Sequence, residues 1–511
     1  MRFNILIGGK AGQGINKVSE ILSKVFVKYG YFIFNYRDYQ SLIRGGHNFN
    51  ILSLSDKPIL SHESKVDFLI ALDDDTLKIH EKRKKGSCTV LSYEKLEGLG
   101  RNSNIALAGA LVKSFGVDKK ILIDEIKQEF GDDAVIAVGK GYNSEDVKIH
   151  LKKLWNDIEI MTGSRGAAIG AINSGLNLYI NYPMTPATGL SNELADFETK
   201  KKDLIVFQSE SEIAAINQAL GASFAGAITM TGTSGGGFDL MSEGLSMQGQ
   251  SEIPMTVYLA SRPGPSTGIP TYTSQDDLDC ALKTGHGEFP RIIVAPGDPI
   301  ECIEKTNEAL YLAEKFGTLS IILTDKHLAE SEYSINKKPK KTVKVRINRK
   351  IPGEDFIKAT SYEHVHDDTA MSSESEEITE NNDLLKLEKY KQIEEELQKT
   401  EYEAVKFYGN KKSKNLVVSF GSTKGAILDA ITYLNCGFLQ VLYLKPLSRK
   451  IRKIIEGKNV ILIEQNLTGQ LGKMLEGELR IKFEDENKIL KHNGRPFTSD
   501  ELEREIRKRL R

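Results

Sequence analysis

The sequence predicts an α/β protein of three domains with largely parallel sheets. Short apolar runs, each closed by a glycine, serine or threonine turn and followed by a helix-period segment, recur from residue 3 to residue 464. At 511 residues the chain is too long for one hydrophobic core. A charged interval of low hydrophobicity separates two such series, which divides the chain into residues 1–160, 161–330, a connector at 331–413, and 414–511.

Composition narrows the functional class. Lys+Arg 69 against Asp+Glu 70 leaves a net charge of −1, which argues against a basic nucleic-acid surface. The opening MRFNILIGG is too short an apolar run for a signal peptide, and no run approaches the roughly 18 to 20 residues of a membrane span, so a cytoplasmic protein is expected. Cys88, Cys280, Cys302 and Cys436 are scattered and spell out no disulfide framework, zinc knuckle or iron-sulfur ligand series. Any cluster must reside elsewhere, and no metal ligands are assigned to this chain.

In the first domain an apolar strand at 3–7 runs into Gly8-Gly9-Lys10-Ala11-Gly12-Gln13-Gly14, followed by a helix with Val18, Ile21, Leu22 and Val25 in register. Exposed amides there could hold a phosphate, but the next strand reaches Asn35 where a nicotinamide site needs an acid for the ribose. Arg37, Arg44 and His47 surround Gly45-Gly46 in a loop, and Asp73-Asp74-Asp75 reads as a helix cap rather than a metal site. Residues 147–160, with Leu151, Leu154, Trp155 and Ile158, suit an amphipathic helix.

The central domain carries the chemistry. A helix at 167–175 leads to a strand at 176–180 and then to Tyr182-Pro183-Met184-Thr185-Pro186, where two prolines fix a turn that presents Thr185. Glu210 and Glu212 precede a small-residue helix; a carboxylate there is ordinarily a favourable N-terminal charge. The strand at 228–231 ends in Thr233-Ser234-Gly235-Gly236-Gly237, and that at 255–260 ends in Ser261-Arg262-Pro263-Gly264. Glycines at strand-to-helix turns have a structural explanation, but threonine, glutamate and arginine arriving at one sheet edge, where open parallel sheets keep their crevices, do not.

Beyond the strand at 319–323 the connector contains His364 and His366, two histidines with no third ligand in register. Leu384, Leu387, Tyr390, Ile393 and Leu397 then predict a packing helix. Strands at 414–420, 441–444 and 460–464 rebuild an α/β domain with an EQNLTGQLG turn.

Taken in order, YPMTP, ESEIAAIN, TSGGG and RPGPSTGIPT resemble the pyrimidine-side domain of thiamine-diphosphate-dependent 2-oxoacid:ferredoxin oxidoreductases; GGKAGQG resembles that family's gamma portion and the region after Lys414 its transketolase C-terminal-like domain. The resemblance implies a fused gamma-alpha subunit that oxidatively decarboxylates a 2-oxoacid to its coenzyme A thioester and passes electrons to ferredoxin. A carboxylate on the pyrimidine nitrogen would promote ylid formation. Glu212, followed by Ile213-Ala214-Ala215, matches the family's pattern better than Glu210, with Tyr182 and Pro183 beside the cofactor. Arg262 would take the substrate carboxylate in parallel hydrogen bonds, with Thr185 and Thr271 donating to the carbonyl. A surface ion pair is the plainer role for Arg262. The Gly-Asp-Gly stretch that holds diphosphate and Mg2+ is absent, since only Gly131-Asp132-Asp133 and Gly297-Asp298-Pro299 occur. A beta subunit is therefore expected to carry the Mg2+ and the iron-sulfur cluster and to share the thiamine diphosphate. A non-catalytic assembly subunit and a nicotinamide-binding oxidoreductase are the alternatives; which 2-oxoacid is used is not legible.

Overall fold

In the computed structural model all residues are described except 41–45, 97–98, 128–129, 350, 352–364, 367–371 and 400. Three main sheets are present among them, and they bear out the α/β class. The first runs Lys84–Ser92, Val66–Ala71, Arg2–Lys10, His47–Ser55, Phe32–Asp38, Glu332–Ile335, Glu159–Thr162. Arg2–Lys10 is parallel to Val66–Ala71 and antiparallel to His47–Ser55, so this sheet is mixed. Its central strands, Val66–Ala71, Arg2–Lys10, His47–Ser55 and Phe32–Asp38, are buried on both faces, while Lys84–Ser92 and Glu159–Thr162 at the edges are partly open. Ile5, Ile7, Ile33 and Leu52 pack under helices Ile15–Lys28 and Ser103–Ser114, while Leu6, Phe34 and Ile51 face the core that also holds Ala167, Tyr258 and Tyr333.

That shared core corrects two expectations. Glu332–Ile335 falls in the expected connector, yet it is a strand between Phe32–Asp38 and Glu159–Thr162; the Arg37 ion pair and the Asn35 Nδ2 bond of 2.9 Å, both to Glu332, tie it in. Residues 147–158 form no helix. Their backbone is taken up by neighbours, with Lys148 and Ile149 donating to the Ser114 carbonyl, Leu151 to Phe115 and Leu154 to Tyr29, and Trp155 stands 88% exposed. Leu151 and Leu154 still pack on the first-domain core, but from an extended chain, since the N–H groups that a helix would use internally are given to neighbouring carbonyls. Arg44 and His364 lie outside the described residues, as does the side chain of His366. The acidic trio is a cap, since Asp73 accepts from the Thr76 N–H at 2.9 Å.

The second sheet runs Tyr443–Lys445, Arg291–Val294, Leu319–Asp325, Met255–Ser261, Thr229–Thr233, Leu178–Asn181, Ile205–Gln208, parallel except for its first strand. The third is Val405–Gly409, Gly437–Val441, Asn415–Phe420, Asn459–Glu464, Lys488–Leu490, parallel except for Val405–Gly409. Helix Glu376–Glu396 forms as the spacing predicts, but only its C-terminal part packs: Ile393 is buried and the Tyr390 hydroxyl donates to the Phe289 carbonyl at 2.6 Å, while Leu384, Leu385 and Leu387 are exposed. No helix among the described residues is long and apolar enough to cross a membrane.

The second and third sheets meet at the start of helix Pro299–Phe316, where Asp298 caps the Glu301 N–H at 2.8 Å. The fully buried Glu301 carboxylate takes Lys424 Nζ at 2.6 Å, Lys406 Nζ at 3.1 Å, Gln440 Nε2 at 2.7 Å and the Gly297 N–H at 2.8 Å, and Lys424 also pairs with Asp298. Burial alone would raise its pKa; Lys424 and Lys406 outweigh it and pull the carboxyl down to about 2. Replacing Lys424 by methionine leaves Glu301 and Asp298 short of a cation, which should cost about 3 to 5 kcal/mol in denaturant unfolding. Because the folded pKa lies below the ordinary 4.5, Glu301's contribution should be complete above about pH 4.5 and fade as pH falls towards 2. A variant as stable as the parent would remove this joint from the account.

Candidate active site

Four neighbouring parallel strands of the second sheet deliver their following residues to one edge. Leu178–Asn181 leads into the proline turn, in which Tyr182 and Pro183 are exposed, Thr185 is half-buried and the Thr185-Pro186 bond is cis. Ile205–Gln208 leads to Ser211, whose hydroxyl caps helix Glu212–Phe224 by accepting from the Ala214 N–H at 3.2 Å. Glu212 is the first helical residue and is 3% exposed, with no hydrogen-bond partner on Oε1. Glu210 is exposed and accepts from the Ser209 hydroxyl at 3.0 Å. The cap therefore turns one glutamate inward and leaves the other outside.

Thr229–Thr233 ends at Ser234, whose buried Oγ has no partner, and helix Gly235–Leu240 follows. The glycines here make room for carboxyls. A Cβ on Gly237 would stand 2.6 Å from Glu212 Oε1, and one on Gly235 would stand 2.5 Å from Asp277 Oδ1. Met255–Ser261 leads to Arg262, 8% exposed, whose Nη1 donates to the Thr185 carbonyl at 2.6 Å while Nε lacks a partner. That burial is incompatible with a surface ion pair. Desolvation lowers the guanidinium's pKa, and the charges of Asp277 and Glu212 oppose the shift.

The loop after Arg262 is held from the far side. Thr273 Oγ1 donates to Asp325 Oδ1 at 3.2 Å, and Gln275 bonds through its N–H to the Gln465 carbonyl at 2.7 Å and through Nε2 to the Phe420 carbonyl at 2.8 Å. Gln465 Nε2 returns a bond to the Thr273 carbonyl at 3.0 Å. Thr271 is half-buried in this loop, and its hydroxyl is not tied to Arg262 by a described bond. Asp277 and the Gln275–Gln465 pair were missed in the sequence because TSQDDL reads as an ordinary polar loop and its partners are 190 residues away. In the first domain, Asn35 is buried against Ser19 and Glu332 rather than facing a ribose, and His47 Nε2 lies 2.8 Å from His80 Nε2.

At the carboxyl end of this parallel sheet a buried carboxylate oxygen without a partner and a buried guanidinium that feels its charge are brought to one edge, and such an oxygen has the chemistry to share a proton with a ring nitrogen. The profile described as "Pyruvate flavodoxin/ferredoxin oxidoreductase, thiamine diP-bdg" matches residues 169–408, and "Pyruvate ferredoxin/flavodoxin oxidoreductase" matches residues 4–97. The 2-oxoacid:ferredoxin oxidoreductase subunit alpha of Saccharolobus solfataricus is 32% identical across 99% of this chain and 98% of its own. The 2-oxoglutarate synthase subunit KorA of Archaeoglobus fulgidus is 39% identical across 34% of this chain and 51% of its own. A solved 2-oxoglutarate:ferredoxin oxidoreductase from Magnetococcus marinus shares the fold, with a TM-score of 0.89 at 24% identity over 100% of both chains. The chain belongs to the alpha subunits of 2-oxoacid:ferredoxin oxidoreductases.

A Cβ on Gly237 would fall on the Thr233 hydroxyl first and on the Glu212 carboxyl next, so Gly237→Ala should displace both groups and cut turnover at least about tenfold, with an overpacking cost of about 1 to 3 kcal/mol. Gly221, in the helix that begins at Glu212 and with open space at its Cβ, is the control; alanine there should gain about 0.5 to 1 kcal/mol and leave turnover unchanged. Equal turnover in Gly237→Ala and the parent would refute the packing argument.

Proposed function

We propose that this chain supplies the proton-handling and carboxylate-binding half of a 2-oxoacid:ferredoxin oxidoreductase site, completed by a beta subunit. The observation that carries the reading is the Glu212 carboxylate, buried and with Oε1 unpaired, next to the buried Arg262. Thiamine diphosphate, when bound, supplies the carbanion chemistry that releases carbon dioxide from a 2-oxoacid. Glu212 would hold a proton with its pyrimidine nitrogen, and burial excludes water that would otherwise compete for that oxygen. Tyr182 and Pro183 border the same edge and are exposed, which suits contact with cofactor or partner. Arg262 is oriented by the Thr185 carbonyl, so its remaining N–H groups would meet a substrate carboxylate already aligned. Thr185 and Thr271 would donate to the carbonyl oxygen.

The partner would bring the diphosphate site with Mg2+ and the iron-sulfur cluster, ferredoxin would take the electrons, and coenzyme A would take the acyl group. The relatives are named as subunits, and the Magnetococcus enzyme is described with 2-oxoglutarate, coenzyme A and succinyl-CoA bound. A role in assembly alone would leave no reason for a buried unpaired acid at this edge.

In the complex with its beta subunit, Glu212→Gln should still bind thiamine diphosphate but exchange the thiazolium proton with deuterated solvent far more slowly, while Glu210→Gln exchanges like the parent. If neither change slows exchange, the assignment of the acid is wrong. Arg262→Ala should lower kcat/KM for the 2-oxoacid by tens to about a hundredfold, on the order of 2 to 3 kcal/mol for a charge-assisted pair, with cofactor affinity unchanged. An unaltered kcat/KM would sink the carboxylate anchor.

A further inference from the structure

The carboxyl of Asp277 is unused in the reading above, yet it borders the same ground. Its Oδ1 occupies the space a side chain on Gly235 would need, and its Oδ2 is a buried atom with no hydrogen-bond partner. The glycine turn thus passes between two carboxyls, Asp277 at Gly235 and Glu212 at Gly237, with Arg262 feeling the charge of both. Two more polar atoms there, Glu212 Oε1 and Arg262 Nε, belong to side chains more than nine-tenths buried and are also unpaired. So many unsatisfied groups converging at one sheet edge indicate a polar ligand.

The charges facing Asp277 come from every neighbouring element: Asp276 beside it, Asp239 from helix Gly235–Leu240, Cys280 from helix Leu278–Lys283, and Arg262. Burial pushes Asp277 up to about 6, the Ser261 hydroxyl at the end of the neighbouring strand opposes that rise, Asp276 and Asp239 add to it, and Arg262 opposes it as well. The Cys280 thiol is held up at about 12 and stays neutral. In the free site Asp277 is therefore mainly ionised at neutral pH. A substrate carboxylate arriving at Arg262 would place another anion against it, which favours the protonated form.

We infer that Asp277 is a substrate-binding residue that takes one proton from solvent when a 2-oxoacid carboxylate reaches Arg262 and then donates its O–H to that carboxylate. The inference rests on the proposed role of Arg262 as the carboxylate anchor. No bond to carbon forms or breaks; the proton comes from buffer and returns on release. The hydrogen bond so made is of the strong, charge-assisted kind, and it satisfies the oxygen that the free protein leaves unpaired. Protonation also relieves Arg262 of a competing anion at the moment its charge is needed.

Calorimetric titration of the complex with oxamate, an unreactive analogue with the same carboxylate and carbonyl, tests this when run in buffers of different ionisation heat. At about pH 7.5 the parent should take up close to about one proton per oxamate, and its affinity should fall roughly tenfold per pH unit above about 6. Asp277→Asn, whose amide donates without titrating, should take up none and bind with little pH dependence. A parent that takes up no proton, or an Asp277→Asn variant that keeps the uptake, overturns the inference. The Arg262 reading fails separately: if Arg262→Ala binds oxamate as the parent does, the anchor is misassigned whatever Asp277 does.

Discussion

Surrounded by two lysines, a glutamine amide and a backbone N–H, the carboxylate of Glu301 joins the second sheet to the third. A buried charge is tolerated only when every lone pair is answered, and here, besides the Gly297 N–H, the answers come from Lys406 and Gln440 on the third sheet and Lys424 on the helix that follows its strand Asn415–Phe420. That requirement fixes where the third sheet sits. Gln465 then lies where it can grip Gln275 and Thr273, and the loop carrying Asp277 becomes a strap between two sheets. The geometry around Arg262 depends on a joint made of residues that touch no substrate.

The electrostatics of the edge follow from the same confinement. One guanidinium feels the charge of two carboxyls, and the chain between them is glycine because those carboxyls, together with the Thr233 hydroxyl, occupy the side-chain positions. Arg262 is deprived of water yet spends one N–H on the Thr185 carbonyl, which orients it and leaves Nε unpaired. A site assembled this way is costly for the folded protein in isolation and favourable once a polar ligand fills it. The first sheet contributes at a distance: its face carrying Leu6, Phe34 and Ile51 is continuous with the core behind strands Leu178–Asn181, Thr229–Thr233 and Met255–Ser261, so it is part of their support.

Much was legible in the sequence for a physical reason: strand ends, capped helix starts and proline turns are local, and their chemistry is written in adjacent residues. The small-residue helix at Glu212, the proline turn holding Thr185, and Arg262 directly after a strand are of this kind. Of the two glutamates, the Ser211 cap turns Glu212 towards the interior and leaves Glu210 exposed.

Tertiary structure decided what depends on partners far along the chain. Residues 147–158 have a helical period but donate their N–H groups to Ser114, Phe115 and Tyr29, and Glu332–Ile335 looks like connector until Phe32–Asp38 and Glu159–Thr162 flank it. Asp277 is an unremarkable acid in a polar loop until Gly235 is packed on it and the Gln275–Gln465 bonds hold it there. Local sequence sets which side chains a turn presents. Whether such a side chain is left buried and unpaired is set by what the rest of the chain brings against it, and no spacing rule over a few residues contains that.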